Sequence, residues 1–190
     1  MKKSCYIAAI AGGLMSFSAS YALAESHAMA NPMVGGAEML AERNIVENAV
    51  NSADHTTLVA AVQAAGLVET LSGPGPFTVF APTNDAFAKL DQDQVAALLQ
   101  PENKDALTQI LTCHVVGAEV FSDALQTMIA DDGGAHAITT LGGCVLTAAV
   151  TDGMVTLTDE RGQVATVTIA DVDQSNGVIH VIDTVVLPAM

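Results

Sequence analysis

The sequence predicts an α+β domain. Helix-periodic segments fill its first half, β-prone runs fill its second, and the two kinds are segregated rather than alternating as βαβ units would be. A hydrophobic content of 51% over 190 residues gives enough apolar surface for one domain with a full core. No segment repeats at a fixed period, so a solenoid or a tandem array is excluded.

The elements follow in chain order. Residues 1–24 read as a signal peptide: Lys2 and Lys3 make a basic start, Tyr6 to Phe17 is apolar with small residues, and Ala22-Leu23-Ala24 is a small-x-small cleavage site. That stretch falls short of the roughly 20 apolar residues a membrane-spanning helix needs. Residues 25–43, rich in Ala, Met and Gly, are expected to be an extended leader with little core of their own, and residues 44–190 the domain. From Asn44 to about Thr112 the pattern is helical. Leu58, Val59 and Val62 share one face with Gly66 as the stop, and Leu107, Ile110 and Leu111 form a second stripe. One strand interrupts this half, where Phe77-Thr-Val-Phe80 follows the turn Ser72-Gly-Pro-Gly-Pro76. Thr83, Asn84 and Asp85 have the short oxygen-bearing side chains that cap a helix beginning near Ala86. Beyond Cys113 the pattern reads as strands: Cys144 to Val150 and Met154 to Thr158 about an Asp152-Gly153 hairpin turn, then Val164 to Ile169. Asn176-Gly177 turns the chain into a continuous apolar run, Val178 to Leu187, as in a buried strand.

Charge narrows the function. With 6 basic residues against 21 acidic ones, the net charge is −15, and removal of the signal would take two lysines and no acid. A nucleic-acid partner would need clustered Lys or Arg, and an anionic membrane surface would repel the chain. Cys113 and Cys144 are the cysteines left after the signal, and export favours a disulfide between them over two buried thiols. Closing that loop is worth roughly 3 to 4 kcal/mol by loop entropy.

Two long segments, in order, carry a resemblance. Phe77-Thr-Val-Phe-Ala-Pro-Thr-Asn-Asp-Ala-Phe87 resembles the first signature of fasciclin domains, and Asn176-Gly-Val-Ile-His-Val-Ile-Asp-Thr-Val-Val-Leu-Pro188 resembles the second. Between them Ile110-Leu-Thr-Cys-His-Val-Val116 is similar to the family's middle segment, with Cys113 where the family usually carries Tyr before His114. A disulfide half in place of a tyrosine ring is simplest to explain as a staple. The resemblance covers about Ile45 to Pro188 and implies a wedge-like β-sandwich packed with helices, in an extracytoplasmic adhesion or interaction module. It implies structural roles for Phe77, Phe80, Pro82, Thr83, Asn84, Phe87, His114, Asn176, Gly177, His180, Asp183 and Pro188. It also implies two candidate recognition segments, Asp171-Val172 and Asn103-Lys-Asp105-Ala-Leu107. The plainer alternative at each acid is a solvated loop or helix-face carboxylate.

The expected partner is therefore a cell-surface protein or polysaccharide outside the cytoplasm, in a periplasm or beyond the cell. The alternative is a soluble module that binds a small molecule, lipid or glycan between the helices and the sheets. No enzyme, cofactor or metal is expected. The nucleophile elbow, phosphate loop and zinc-helix motifs are missing. Asp171, Asp173 and Ser175 have calcium-loop spacing, but Gly177 and Asp183 each fall one position late for one. His27, Met29, Met33 and Met39 could be soft copper ligands but lack a regular repeat.

Overall fold

The computed structural model describes residues 31–189. The expected signal peptide, the start of the leader, and His27 and Met29 lie outside the described residues. The first elements are a short ribbon, β1 (Met33–Val34) and β2 (Ala37–Glu38). Helices α1 (Ile45–Ala49), α2 (Thr56–Ala65) and α3 (Val68–Leu71) follow, then strand β3 (Phe77–Pro82). Helices α4 (Asn84–Ala88), α5 (Gln92–Leu98) and α6 (Lys104–Thr112) lead to β4 (Val115–Val116) and α7 (Ser122–Asp131). Strands β5 (Ala135–Thr139), β6 (Val145–Thr151), β7 (Met154–Thr158), β8 (Val164–Gln174) and β9 (Gly177–Ile182) complete the domain.

Local chemistry explains the boundaries. Asn44 caps α1 in a reciprocal capping box with Glu47, and Gly66 ends α2 in the left-handed conformation at φ 73° that glycine adopts without a Cβ penalty. Thr83 accepts the Ala86 N–H as the cap of α4. Asp152 and Gly153 both have positive φ, as the tight β6–β7 hairpin requires.

The strands run in the order β4-β3-β9-β8-β7-β6-β5, with β3 and β9 parallel and every other neighbouring pair antiparallel. Strand β8 belongs to both halves of this sheet. Its first residues pair with β7 and its later ones with β9, with register shifts between Val167 and Ile169 and between Ile169 and Val172. Bulges of this kind bend a strand, and here the bend folds the two halves toward each other. Phe80, Val116 and Ile182 from one half consequently share a core with Ile138, Leu146, Ala148 and Leu157 from the other. The opposite face of β3 and β9 presents Val79, Ala81, Ile179 and Val181 to Leu58, Val62, Leu107 and Leu111 of α2 and α6. The central strands are thus buried on both faces, which is why they read as unbroken apolar runs.

Three elements differ from the sequence-based expectation. Residues 33–39 are not a coreless leader, because Val34 and Met39 are buried against Ile45 and Val172, where apolar burial offsets the cost of ordering the ribbon. Helix α7 lies in the region read as strands, and Leu125 and Ile129, four apart, form its buried stripe. The last run stops pairing at Ile182. There Asp183 accepts the Thr166 N–H through its carboxylate (2.8 Å), and the chain leaves the sheet.

Gly177 is constrained by close approach, since a Cβ there would lie 2.0 Å from the Phe77 carbonyl oxygen. Gly177→Ala should therefore cost about 2–3 kcal/mol through backbone displacement at the β3–β9 pairing. Urea unfolding with an unchanged m-value and a lowered midpoint is the expected result.

Candidate functional site

The residues of the two signatures converge, and their side chains hold chain segments together. Buried Asn176 accepts the Ile45 N–H at 3.0 Å and donates to the carbonyls of Leu71 (2.8 Å) and Gly73 (2.9 Å). It therefore ties α1 and the end of α3 to the β8–β9 turn. Asn84 does the same for α2. Its carbonyl oxygen accepts from the Thr57 N–H (3.0 Å) and the Thr56 hydroxyl (3.1 Å), and its amide donates to the Ala53 carbonyl (2.8 Å). Pro82 ends β3, and Thr83 donates its N–H to the Ile182 carbonyl at 3.2 Å, so the first signature leaves the sheet against the end of the second. Phe77 and Phe87 pack against the helical core, whereas Phe80 faces the sandwich core. Lys89 reaches Asp183, donating to its carbonyl at 2.7 Å and its carboxylate at 3.3 Å. Arg161 donates to the Pro188 carbonyl at 2.8 Å.

Both signature histidines are buried with both nitrogens engaged. His114 donates from Nδ1 to the Ile110 carbonyl (2.8 Å) and accepts the Val186 N–H at Nε2 (3.1 Å). Burial is the main reason that its pKa falls to about 4. His180 stacks on Phe80 with centroids 5.7 Å apart, donates from Nε2 to the Val120 carbonyl (2.8 Å) and accepts the Asp171 N–H at Nδ1 (3.3 Å). Burial also lowers its pKa, and that of His55. Cys113, the residue after α6, is joined by a disulfide to Cys144, the residue before β6, with Cα atoms 5.3 Å apart. The bond links the helical half to the outer strands.

The two candidate recognition segments fare differently. Asp171 sits at the bend of β8 with φ 57°, and its carboxylate accepts the Ser122 N–H (2.6 Å) and the Ser122 hydroxyl. It holds the N-terminus of α7, where a carboxylate also complements the helix dipole. Val172 is 1% exposed and packs in the helical core, so it has no surface to offer a partner. The sequence placed both in one surface epitope, whereas the bend of β8 turns the acid to α7 and its neighbour inward. Asp105 lies on the first turn of α6, exposed, and makes no side-chain hydrogen bond to another described residue. Its helix flanks a groove of about 570 Å³, lined by Leu98 of α5, by Asn103, Ala106 and Gln109, and by Arg161 and Pro188. Sequence alone gave no sign of this groove, because its walls come from three parts of the chain.

Of the soft candidates, Met39 is buried in the core and Met33 is exposed on the ribbon. Asp173 and Ser175 lie on the exposed side of the β8–β9 turn, while Asp171 serves Ser122. No helix among the described residues is long and apolar enough to cross a membrane.

Comparison with known proteins agrees with this architecture. The model of the fasciclin domain matches residues 53–188. Protein sll1483 of Synechocystis sp. is 52% identical over 146 residues, covering 77% of this chain and 74% of that protein. Transforming growth factor-beta-induced protein ig-h3 of Sus scrofa is 37% identical over 131 residues, which are 69% of this chain but only 17% of that protein. Among solved structures, the FAS1 domain pair of the insect cell adhesion molecule Fasciclin I superposes with a TM-score of 0.68 over 76% of this chain and 51% of that one. At 18% identity that likeness concerns the fold.

Two predictions follow from the buried groups. The unfolded chain protonates His114 near its ordinary value of 6.5, whereas the folded protein does so only near 4, so the unfolded state binds more protons between these values. The stability that neutral His114 contributes is complete above about pH 6.5 and falls by about 3 kcal/mol as the pH drops to about 4. His180 and His55 act in the same direction. Thermal melts from pH 7.5 to 4 should show this decline, and His114→Gln should flatten it. Asp171→Ala should cost about 2 kcal/mol by stripping the α7 N-terminus of its acceptor, with amide exchange accelerated first around Ser122.

Proposed function

Because the chain belongs to the fasciclin domain family, we propose that it is a non-catalytic, extracytoplasmic interaction module that binds a cell-surface or matrix partner through the groove beside α6. The observation that carries this reading is the contrast between the two acidic segments. Asp171 is committed to holding α7, whereas Asp105 is exposed on α6, the helix whose Ala106 and Gln109 line a groove wide enough for a peptide or a few sugar rings. The wall of that groove combines aliphatic surface from Leu98 and Ile110 with amide groups from Asn103 and Gln109 and the cation of Arg161. Apolar contact can supply affinity there, and a few placed polar groups can supply orientation.

The family supports the same direction. Ig-h3 and the insect Fasciclin I carry fasciclin domains, and the latter is named a cell adhesion molecule. The signature residues spend their hydrogen bonds on internal ties, which suits a rigid scaffold that presents a surface. A lone domain carries one copy of its epitope, so firm attachment would come from dense display or self-association. Export by the signal peptide read in residues 1–24 belongs to this proposal. Mass spectrometry of the released protein should find an N-terminus at Glu25, and a retained Met1 would remove that part of it.

The test of the binding face is capture from intact cells and from extracellular matrix, comparing wild type with Asp105→Ala and Ala106→Arg. Ala106 is exposed on the groove wall, so the arginine can be accommodated without disturbing the core. Capture of a surface protein or polysaccharide that falls at least about tenfold in both variants, with melting temperatures unchanged, is expected for a groove hot spot. Equal capture by wild type and variants would move the binding face elsewhere.

A further inference from the structure

A second concavity lies among α1, α2 and α3 and shares no lining residue with the α6 groove. It is a cavity of about 180 Å³ walled by α1, α2 and α3 and floored by β3, β4 and the end of α6. Its walls are aliphatic and dominated by valines, among them Val46, Val50, Val59, Val62 and Val68. Valine is short and stiff, so a wall of valines leaves space that leucine or phenylalanine would fill. Val50 is 55% exposed and Val46, Val59 and Val68 are partly so, which marks the mouth on the side of α1 and α3.

Two polar side chains reach the cavity, Gln63 and His114. Neither nitrogen of His114 is available to a ligand, because one donates to Ile110 and the other accepts from Val186. Gln63 is exposed on the surface of α2. The interior therefore offers no hydrogen bond, and a sugar or a charged group placed there would lose its hydration without compensation. Well-packed domains rarely keep a void larger than a water molecule, and an apolar cavity of roughly 150 Å³ stays dry and accepts a benzene.

We infer that this cavity is a binding site for a neutral, single-chain aliphatic molecule whose hydrocarbon end fills the valine-lined interior and whose polar end remains at the mouth beside Gln63. By scaling from the benzene-sized case, about seven carbons fit inside. Charge selects against fatty-acid-like anions. The chain carries −15 overall, and Glu47 and Glu69 belong to the helices α1 and α3 that frame the mouth. The ligand is a dissolved monomer, since a cavity of about 180 Å³ holds one short chain and cannot grip a bilayer.

The experiment titrates the protein with 1-alkanols from butanol to dodecanol by calorimetry. Affinity should rise about fourfold per methylene, the increment for burying a CH₂, and level off near seven carbons. Octanoate should bind at least about tenfold more weakly than octanol at low salt. Two filling variants, Val59→Phe and the milder Val62→Leu, should weaken octanol binding at least tenfold while melting at or above the wild-type temperature. Asp105→Ala should leave octanol binding unchanged, which separates this site from the α6 groove. In the wild type, nuclear Overhauser contacts should join the octanol terminal methyl to Val62, a readout that survives even if both filling variants fail to fold. Affinity independent of chain length, absence of those contacts, or uptake by phosphatidylcholine vesicles without binding of monomeric alkanols would each overturn the inference.

Discussion

The parallel pairing of β3 with β9 is the contact on which the rest of the domain is arranged. These strands lie next to one another inside the sheet but 100 residues apart in sequence, as the pairing of Phe77 with Gly177 and of Phe80 with His180 records. Joining them closes a long loop, and the entropy of that closure has to be offset by burial on both of their faces. One face receives the helical core and the other the sandwich core, so a single pair of strands organises two apolar clusters. The close approach at Gly177 and the three hydrogen bonds of Asn176 fix the register at the point where the pairing begins.

Polar groups inside this framework mostly serve to join elements. Asn84, Asn176, His114 and His180 each bridge segments that sequence separates widely by hydrogen bonds to their backbone groups. Asp159 works alike near the C-terminus, accepting from Arg161, Gln163 and Leu187. The same economy makes the domain sensitive to acid, since neutral buried imidazoles must remain unprotonated to keep their acceptor nitrogens.

The ties leave other surfaces and spaces of the domain unoccupied. The bend of β8 commits Asp171 to α7 and turns Val172 inward, while Asp105 stays exposed on α6, a helix whose other side chains line a groove. Among α1, α2 and α3, short valine side chains leave an apolar cavity of about 180 Å³. The two concavities differ in chemistry, one mixed and open, the other aliphatic and narrow, and a single scaffold can present both because its core does not depend on filling either.

Local pattern determined much of this protein. The α+β class, a capped helix after β3 that starts at Asn84, two residues before the expected Ala86, the stop of α2 at Gly66, the Asp152-Gly153 hairpin and the two signature strands were legible, because propensity, capping and turn chemistry act over a few residues. The pairing partners available to Cys113 and Cys144 were legible too, since Cys5 is the one other cysteine of the sequence and lies far from both along the chain. Tertiary structure decided what depends on long-range contact. Residues 33–39 joined the core because Ile45 and Val172 lay within reach, α7 formed where a distant carboxylate met its first turn, and β8 bent at bulges that its alternation did not announce. The fate of the two acidic segments shows the reason most directly. Asp171 and Asp105 look alike in sequence, and what separates them is which surface each meets once non-adjacent segments are packed together.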